Sequence, residues 1–314
     1  MTGFLLRRLV ETAILLALMS FAIYGLIGLM PGDPIDLMMT ADPTLTSADI
    51  ARLKTVYGLD QPLIDRYLAW AGSALQGDFG YSRIYAQPAA AVIGDRLGNT
   101  ILLMGGAFAL ALALALPLGM LAAWRSGRPL DHAINLVAFA GISMPQFWLA
   151  ILAIILFAVI LGWLPAGGMG DGSIGGSLNH LILPVVTLAI ASTGGILRYV
   201  RASMREALRQ DFIRTARAKG VSTARLLWFH ALRNAMIPVV TILALDFGAL
   251  FSGALITETM FSWLGMGKTI YDAIMGNDYN LALLGLMIAT ALVLACNLLA
   301  DLAYAWLDPR VRYR

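Results

Sequence analysis

Residues 107–116 read Ala-Phe-Ala-Leu-Ala-Leu-Ala-Leu-Ala-Leu, a run that is apolar on every face and lies inside one of six membrane-length apolar blocks. Such a segment offers water nothing to solvate. In lipid each backbone N–H and C=O must be paired within the segment, and a helix of about 20 apolar residues achieves this across the hydrocarbon layer. The blocks fall near Thr12 to Met30, Ile101 to Trp124, Ile134 to Trp163, Leu181 to Leu197, Met236 to Ile256 and Leu281 to Leu302. Strands of a membrane barrel would alternate apolar and polar residues, whereas these blocks are uniformly apolar and rich in the helix formers Ala and Leu. A mean hydropathy of +0.77 and a charged fraction of 13% exclude an ordinary water-soluble globule. The expected class is an all-α integral membrane protein with six transmembrane helices seated in a lipid bilayer.

Lys and Arg concentrate in loops on the cytoplasmic side of membrane proteins. Here Arg7 and Arg8 precede the first block, Arg125 and Arg128 follow the second, and Arg310, Arg312 and Arg314 end the chain. Between the fourth and fifth blocks lie Arg198, Arg201, Arg205, Arg209, Arg214, Arg217, Lys219, Arg225 and Arg233. Placing all of them inside requires six spans with both termini cytoplasmic. The net charge of +3 therefore belongs to membrane topology, and nucleic acid is not an expected partner.

Four regions follow. Residues 1–30 form an N-terminal anchor helix, since the apolar stretch after Arg7-Arg8 is longer than a signal core and no small-x-small cleavage site follows it. Residues 31–100 form an extracytoplasmic insert with two amphipathic helices, one capped by Ser47 and stopped at Gly58, the other started by Pro62 and ending near Gly77. This insert either packs on the membrane face or docks an extracytoplasmic partner. Residues 101–306 carry the remaining five spans and a hairpin over about 211–233, and 307–314 form a cytoplasmic tail. Pro117, Pro145, Pro184 and Pro238 mark positions where spans can kink.

Catalytic chemistry is not supported. His132, His180 and His230 have neither metal-ligand spacing nor a Ser-His-Asp arrangement, Ser143 lacks the context of a nucleophile elbow, and the single cysteine, Cys296, lies mid-span. The run Ser262-Trp-Leu-Gly-Met-Gly-Lys-Thr269 imitates a phosphate-binding loop, but Ser262 replaces its first glycine and no strand precedes it. No enzyme activity, metal or bound cofactor is expected of this chain. Acidic residues in or beside spans are Glu11, Asp246, Glu258 and Asp301. Because such groups are costly in lipid, Asp246, Ser252 and Glu258 are candidate linings of a polar pathway, Asp246 serving equally well as a buried hydrogen-bonding group.

The basic loop is patterned as structure. Arg201, Arg205 and Arg209 recur at four-residue spacing, Asp211 to Lys219 suits a helix, Gly220 a helix stop, and Ser222 a cap for the helix that returns to the membrane through Arg233. Arg214, Thr215, Ala216, Arg217, Ala218, Lys219, Gly220 and Ser222 are the expected socket for a cytoplasmic motor. An anionic-lipid patch is the other reading of these charges.

Over nearly its whole length the chain resembles the permease subunits of bacterial ABC importers for dipeptides, oligopeptides and nickel. The matching residues include Arg7-Arg8, Pro31-Gly-Asp-Pro34, Gly58-Leu-Asp-Gln-Pro62, Gly77-Asp-Phe-Gly80, Ser143-Met-Pro145, Arg214 to Gly220, His230-Ala-Leu-Arg-Asn-Ala235, Glu258-Thr-Met-Phe-Ser-Trp263 and Leu307-Asp-Pro-Arg310. The wider importer class carries a Glu-Ala-Ala and later Gly signature in this loop; here Arg214 and Thr215 stand in place of Glu and the first Ala, while Ala216 and Gly220 match. The resemblance implies a type I importer permease fold. It implies as partners a similar second permease, two cytoplasmic ABC ATPases that bind ATP and magnesium, and an extracytoplasmic solute-binding protein. It leaves the cargo open among dipeptides, oligopeptides, nickel chelates and other small solutes. An ion-gradient carrier in which Asp246 titrates is the alternative from another class.

Overall fold

The computed structural model describes residues 2–29 and 61–307, so the expected Ser47 helix and the Pro31-Gly-Asp-Pro34 motif lie outside the described residues. Two compact units are present: residues 1–98 with 268–291, and residues 99–267 with 292–314.

In the first unit α1 (Thr2–Gly28) is apolar almost throughout. The second expected amphipathic helix is α2 (Leu63–Leu75), opened by Pro62 as its N-cap. Its Tyr67 hydroxyl lies 2.8 Å from the Ser20 hydroxyl of α1, which itself donates to the Ala17 carbonyl. Phe21 and Tyr24 of α1 meet Tyr67 and Trp70 at ring separations of 5.1–5.7 Å. The two helices are thus joined by aromatic faces with one polar anchor, an arrangement suited to a membrane interface. Leu68 and Leu75 stay exposed.

A short antiparallel pair, β1 (Tyr81–Ser82) and β2 (Gln87–Pro88), is pinned by Asp278. This buried carboxylate accepts from the Ser82 hydroxyl at 2.5 Å and from the Ile84 amide at 3.0 Å. Sequence reasoning had no signal for that pairing, because its members are 196 positions apart.

The remaining helices are α3 (Ala89–Trp124), α4 (Pro129–Ser143), α5 (Gln146–Ala153) extended by a π-helical stretch Ile154–Ile160, and α6 (Ile174–Ala207). They continue with α7 (Asp211–Ala218), α8 (Thr223–Arg225) running through a π-helical stretch Leu226–Ala231 into α9 (Leu232–Met260), then α10 (Met266–Met275) and α11 (Tyr279–Leu307). Among the described residues, five helices are each long and apolar enough to cross a membrane, and a sixth span results when the bent pair 129–143 and 146–160 is taken as one. α3 opens at Ala89 and runs 36 residues, so the end of the expected insert, residues 89–100, is helical and continuous with the span that follows.

The bend is the main departure from the expected third span. α4 and α5 meet at 101° around Met144-Pro145, with Met144 extended at ψ 128°. Proline lacks the N–H a helix needs and disfavours helical backbone in the residue before it, so the helix stops and a new one starts. Pro117, Pro184 and Pro238 instead sit inside assigned helices. In the second unit both α4 and α9 pack along α6, with Leu188, Ala189 and Ile196 fully buried.

Candidate functional site

The basic loop folds as a helical hairpin. α7 covers Asp211–Ala218, and after its last turn the Gly220 amide donates to the Arg217 carbonyl at 2.9 Å while the Val221 amide donates to the Ala216 carbonyl at 3.2 Å. This double closure satisfies carbonyls that a helix end leaves unpaired and needs a left-handed residue, which Gly220 supplies at φ +74°. Ser222 occupies the N-cap position of α8 with extended backbone, but its side chain makes no capping hydrogen bond. Of the three arginines at four-residue spacing, Arg201 and Arg205 lie on α6, which ends at Ala207, and Arg209 lies just past its end.

One side of α7 faces the protein and the other faces out. Ile213 is fully buried and Ala216 nearly so, three residues apart on one face. Arg214, Thr215, Arg217, Ala218, Lys219, Gly220 and Ser222 are exposed. Ala216 therefore anchors the hairpin inward, and the surface it offers a neighbour is built from the residues around it. The Arg214–Asp211 pair at 3.2 Å is fully solvated and adds little.

One contact ties the hairpin to a helix end, and two more join the helices around it. The Arg217 guanidinium lies 5.1 Å from the Trp124 ring centroid at the end of α3, a cation–π geometry. The Ser203 hydroxyl of α6 donates to the Ala235 carbonyl of α9 at 2.7 Å. Arg201 grips Asp131 through two donors, Nε to Oδ1 at 2.6 Å and a terminal nitrogen to Oδ2 at 2.7 Å. Asp131 is 1% exposed and also accepts from the Gly127 amide and the Asn135 side-chain amide. Arg201 is thus no free surface cation. Sequence reading missed Asp131, because nothing local in Pro129-Leu-Asp131 announces a partner 70 residues away.

The candidate pathway residues are not brought together. Asp246 is half-buried on α9, while Ser252 belongs to an exposed stripe with Leu245, Ala249 and Ile256 at helical spacing. Glu258 lies on no open face. It is 0% exposed and accepts from the Thr100 hydroxyl at 2.6 Å, and that hydroxyl oxygen accepts from the Met266 amide at 2.7 Å. Glu11, another acid singled out, pairs with Arg7 and Arg8.

The phosphate-loop imitation is a turn between helices α9 and α10. Trp263 is buried there, its indole donating to the Asn99 carbonyl at 3.1 Å, and Lys268 is paired with Asp272 at 2.6 Å. A phosphate loop needs a strand before it, and α9 occupies that place.

Membrane-length helices carrying a basic helical hairpin define a multi-pass integral membrane protein. The chain belongs to the family described as binding-protein-dependent transport system inner membrane component, which matches residues 115–313, with the corresponding N-terminal family matching residues 1–104. The oligopeptide transport system permease protein AppB of Bacillus subtilis (strain 168) is 38% identical over 318 residues, covering all of both chains. The di/tripeptide transport system permease protein DppB of Pseudomonas aeruginosa (strain UCBPP-PA14) is 37% identical over 342 residues, again covering both fully. The fold is similar to that of the MetNI methionine ABC transporter in inward-facing conformations, with a TM-score of 0.53 at 15% identity, over 68% of this chain and 97% of that one. The resemblance read from the motifs is borne out: this is a peptide-type ABC importer permease of the cytoplasmic membrane, a transport protein of a binding-protein-dependent system.

Proposed function

We propose that the chain forms half of a translocation pathway for dipeptides or oligopeptides and couples it to a cytoplasmic ATPase through the hairpin of α7 and α8. A similar second permease supplies the other half. Two ATPase subunits bind ATP and magnesium, and an extracytoplasmic solute-binding protein delivers the cargo. Six spans with both termini cytoplasmic put the hairpin beside the ATPases.

The observation that carries this reading is the construction of the hairpin. Its outward surface, from Arg214 and Thr215 to Lys219 and Ser222, is exposed, while Ile213 and Ala216 hold it against the body. Packed helices have discrete arrangements, so such an element relays a push to α3, α6 and α9 where a flexible loop would absorb it. Peptide cargo is favoured by the relatives, whose names specify oligopeptides and di/tripeptides.

The test is uptake of a labelled dipeptide and a labelled oligopeptide into vesicles holding the assembled transporter. ATP-dependent uptake is expected, together with its loss in Gly220→Pro while the chain still reaches the membrane, since proline cannot adopt φ +74° or donate to Arg217. Unchanged uptake in that variant removes the coupling assignment. Uptake driven by a proton gradient with no ATPase present would establish the carrier mechanism instead.

A further inference from the structure

On the returning arm of the hairpin, Arg225, Trp228, Phe229, His230 and Arg233 line an open recess of about 650 Å³. We propose that this recess binds the headgroup of an anionic phospholipid, held by Arg225 and Arg233 with Trp228 and Phe229 set against the acyl boundary.

Four observations converge. Arg225 and Arg233 have no ion-pair or hydrogen-bond partner among the described residues, in contrast to Arg201 on Asp131 and Arg217 on Trp124. They lie eight positions apart, about two helical turns along one helix, and both are exposed. Two guanidiniums around one recess suit a phosphodiester, which each can grip through paired N–H donors.

Depth supplies the second observation. Helix Thr223–Met260 is 38 residues long. At 1.5 Å per residue it spans roughly 57 Å, well beyond the ~30 Å hydrocarbon layer. An apolar stretch begins after Asn234, so on this reading Trp228 to Arg233 fall at the level of the headgroups.

The third is side-chain type. Trp228 is 49% and Phe229 72% exposed, and exposed aromatic rings beside arginines characterise a membrane interface. The fourth is backbone form. Leu226–Ala231 is π-helical, a form found inside helices frequently at functional sites. His230 lies at the same level, its carbonyl occupied by the Asn234 side chain.

The test is native mass spectrometry of the full chain in detergent, titrated with phosphatidylglycerol or with phosphatidylcholine of the same acyl chains. The Arg225→Gln/Arg233→Gln variant should raise the apparent Kd for phosphatidylglycerol about tenfold to thirtyfold and leave phosphatidylcholine adducts unchanged. The Arg225→Lys/Arg233→Lys variant should bind between the wild type and the Gln variant, because an ammonium keeps the charge and loses the paired contact. Inorganic phosphate at matched concentration should not displace the lipid, because the aromatic and acyl contacts are missing from it.

An equal loss in Arg125→Gln/Arg128→Gln would show general charge attraction and overturn the site. So would displacement by phosphate alone. Wild-type lipid binding in the Gln variant, with failure of an ATPase subunit to copurify, would assign the recess to that protein and overturn the lipid reading.

Discussion

The clasp between Arg201 and Asp131 permits a quantitative prediction. Asp131 is 1% exposed and Arg201 is 23% exposed in its side chain, so the pair is shielded without being sealed. Arg201→Met leaves a buried carboxylate with only the Gly127 amide and the Asn135 side chain as donors. Breaking a buried pair from one side costs about 3–5 kcal/mol, and the surviving donors place this case at the lower end. Asp131→Asn leaves a guanidinium that water can still reach, and charged hydrogen bonds of this kind are worth about 1.5–3 kcal/mol. The double variant should cost less than the sum of the two, with a coupling energy of about 1.5–3 kcal/mol. The assay is reversible denaturation of the purified chain in micelles, followed by helical ellipticity, for the wild type and all three variants. A coupling energy within about 0.5 kcal/mol of zero would refute the clasp as an energetic unit. The same variants should lose uptake in proportion to lost hairpin order, since Arg201 lies near the end of α6.

Other expectations follow from single sites. Thr100→Val removes a donor to buried Glu258 and the acceptor of the Met266 amide, so stability should drop by about 1–3 kcal/mol in the same denaturation assay. Gly265→Ala would drive a methyl group into the Glu258 carboxyl; a loss of about 1–3 kcal/mol or reduced membrane yield is expected, whereas a neutral result would contradict the packing of that turn. Gly220→Ala meets no neighbour within 4 Å, so the cost is only that of left-handed backbone, about 1 kcal/mol, and uptake should be reduced far less than in Gly220→Pro. Lys219→Glu should weaken coupled uptake while leaving denaturation unchanged, because the side chain is exposed and no described residue pairs with it.

The elements that depend on local rules were legible in the sequence. Apolar blocks located the long helices, Pro62 marked the start of α2, and Gly220 marked the hairpin turn together with its closure. The direction of the third block was not legible, because apolar composition is the same on both sides of Pro145 while the backbone turns through 101°. Polar pairs across long sequence separation were equally hidden. Asp131, Asp278 and the Thr100 contact to Glu258 acquire their roles from partners 70, 196 and 158 residues away. Among the three acids, Glu258 was visible only as a costly charge, and the same cost that suggested a pathway is met by burial with donors. Both π-helical stretches arose in runs with no distinguishing composition, Ile154–Ile160 being wholly apolar.

The central claim is that the outward face of the α7 hairpin meets an ATPase subunit. The most direct measurement is site-specific cross-linking in the assembled transporter, with Cys296 replaced by alanine and a single cysteine placed at Thr215 or Lys219, or at Tyr81 as the control on the expected outer segment. Cross-links from Thr215→Cys and Lys219→Cys to the ATPase, with none from Tyr81→Cys, are predicted. A hairpin that yields no ATPase adduct while the transporter remains active in ATP-driven uptake would contradict the account.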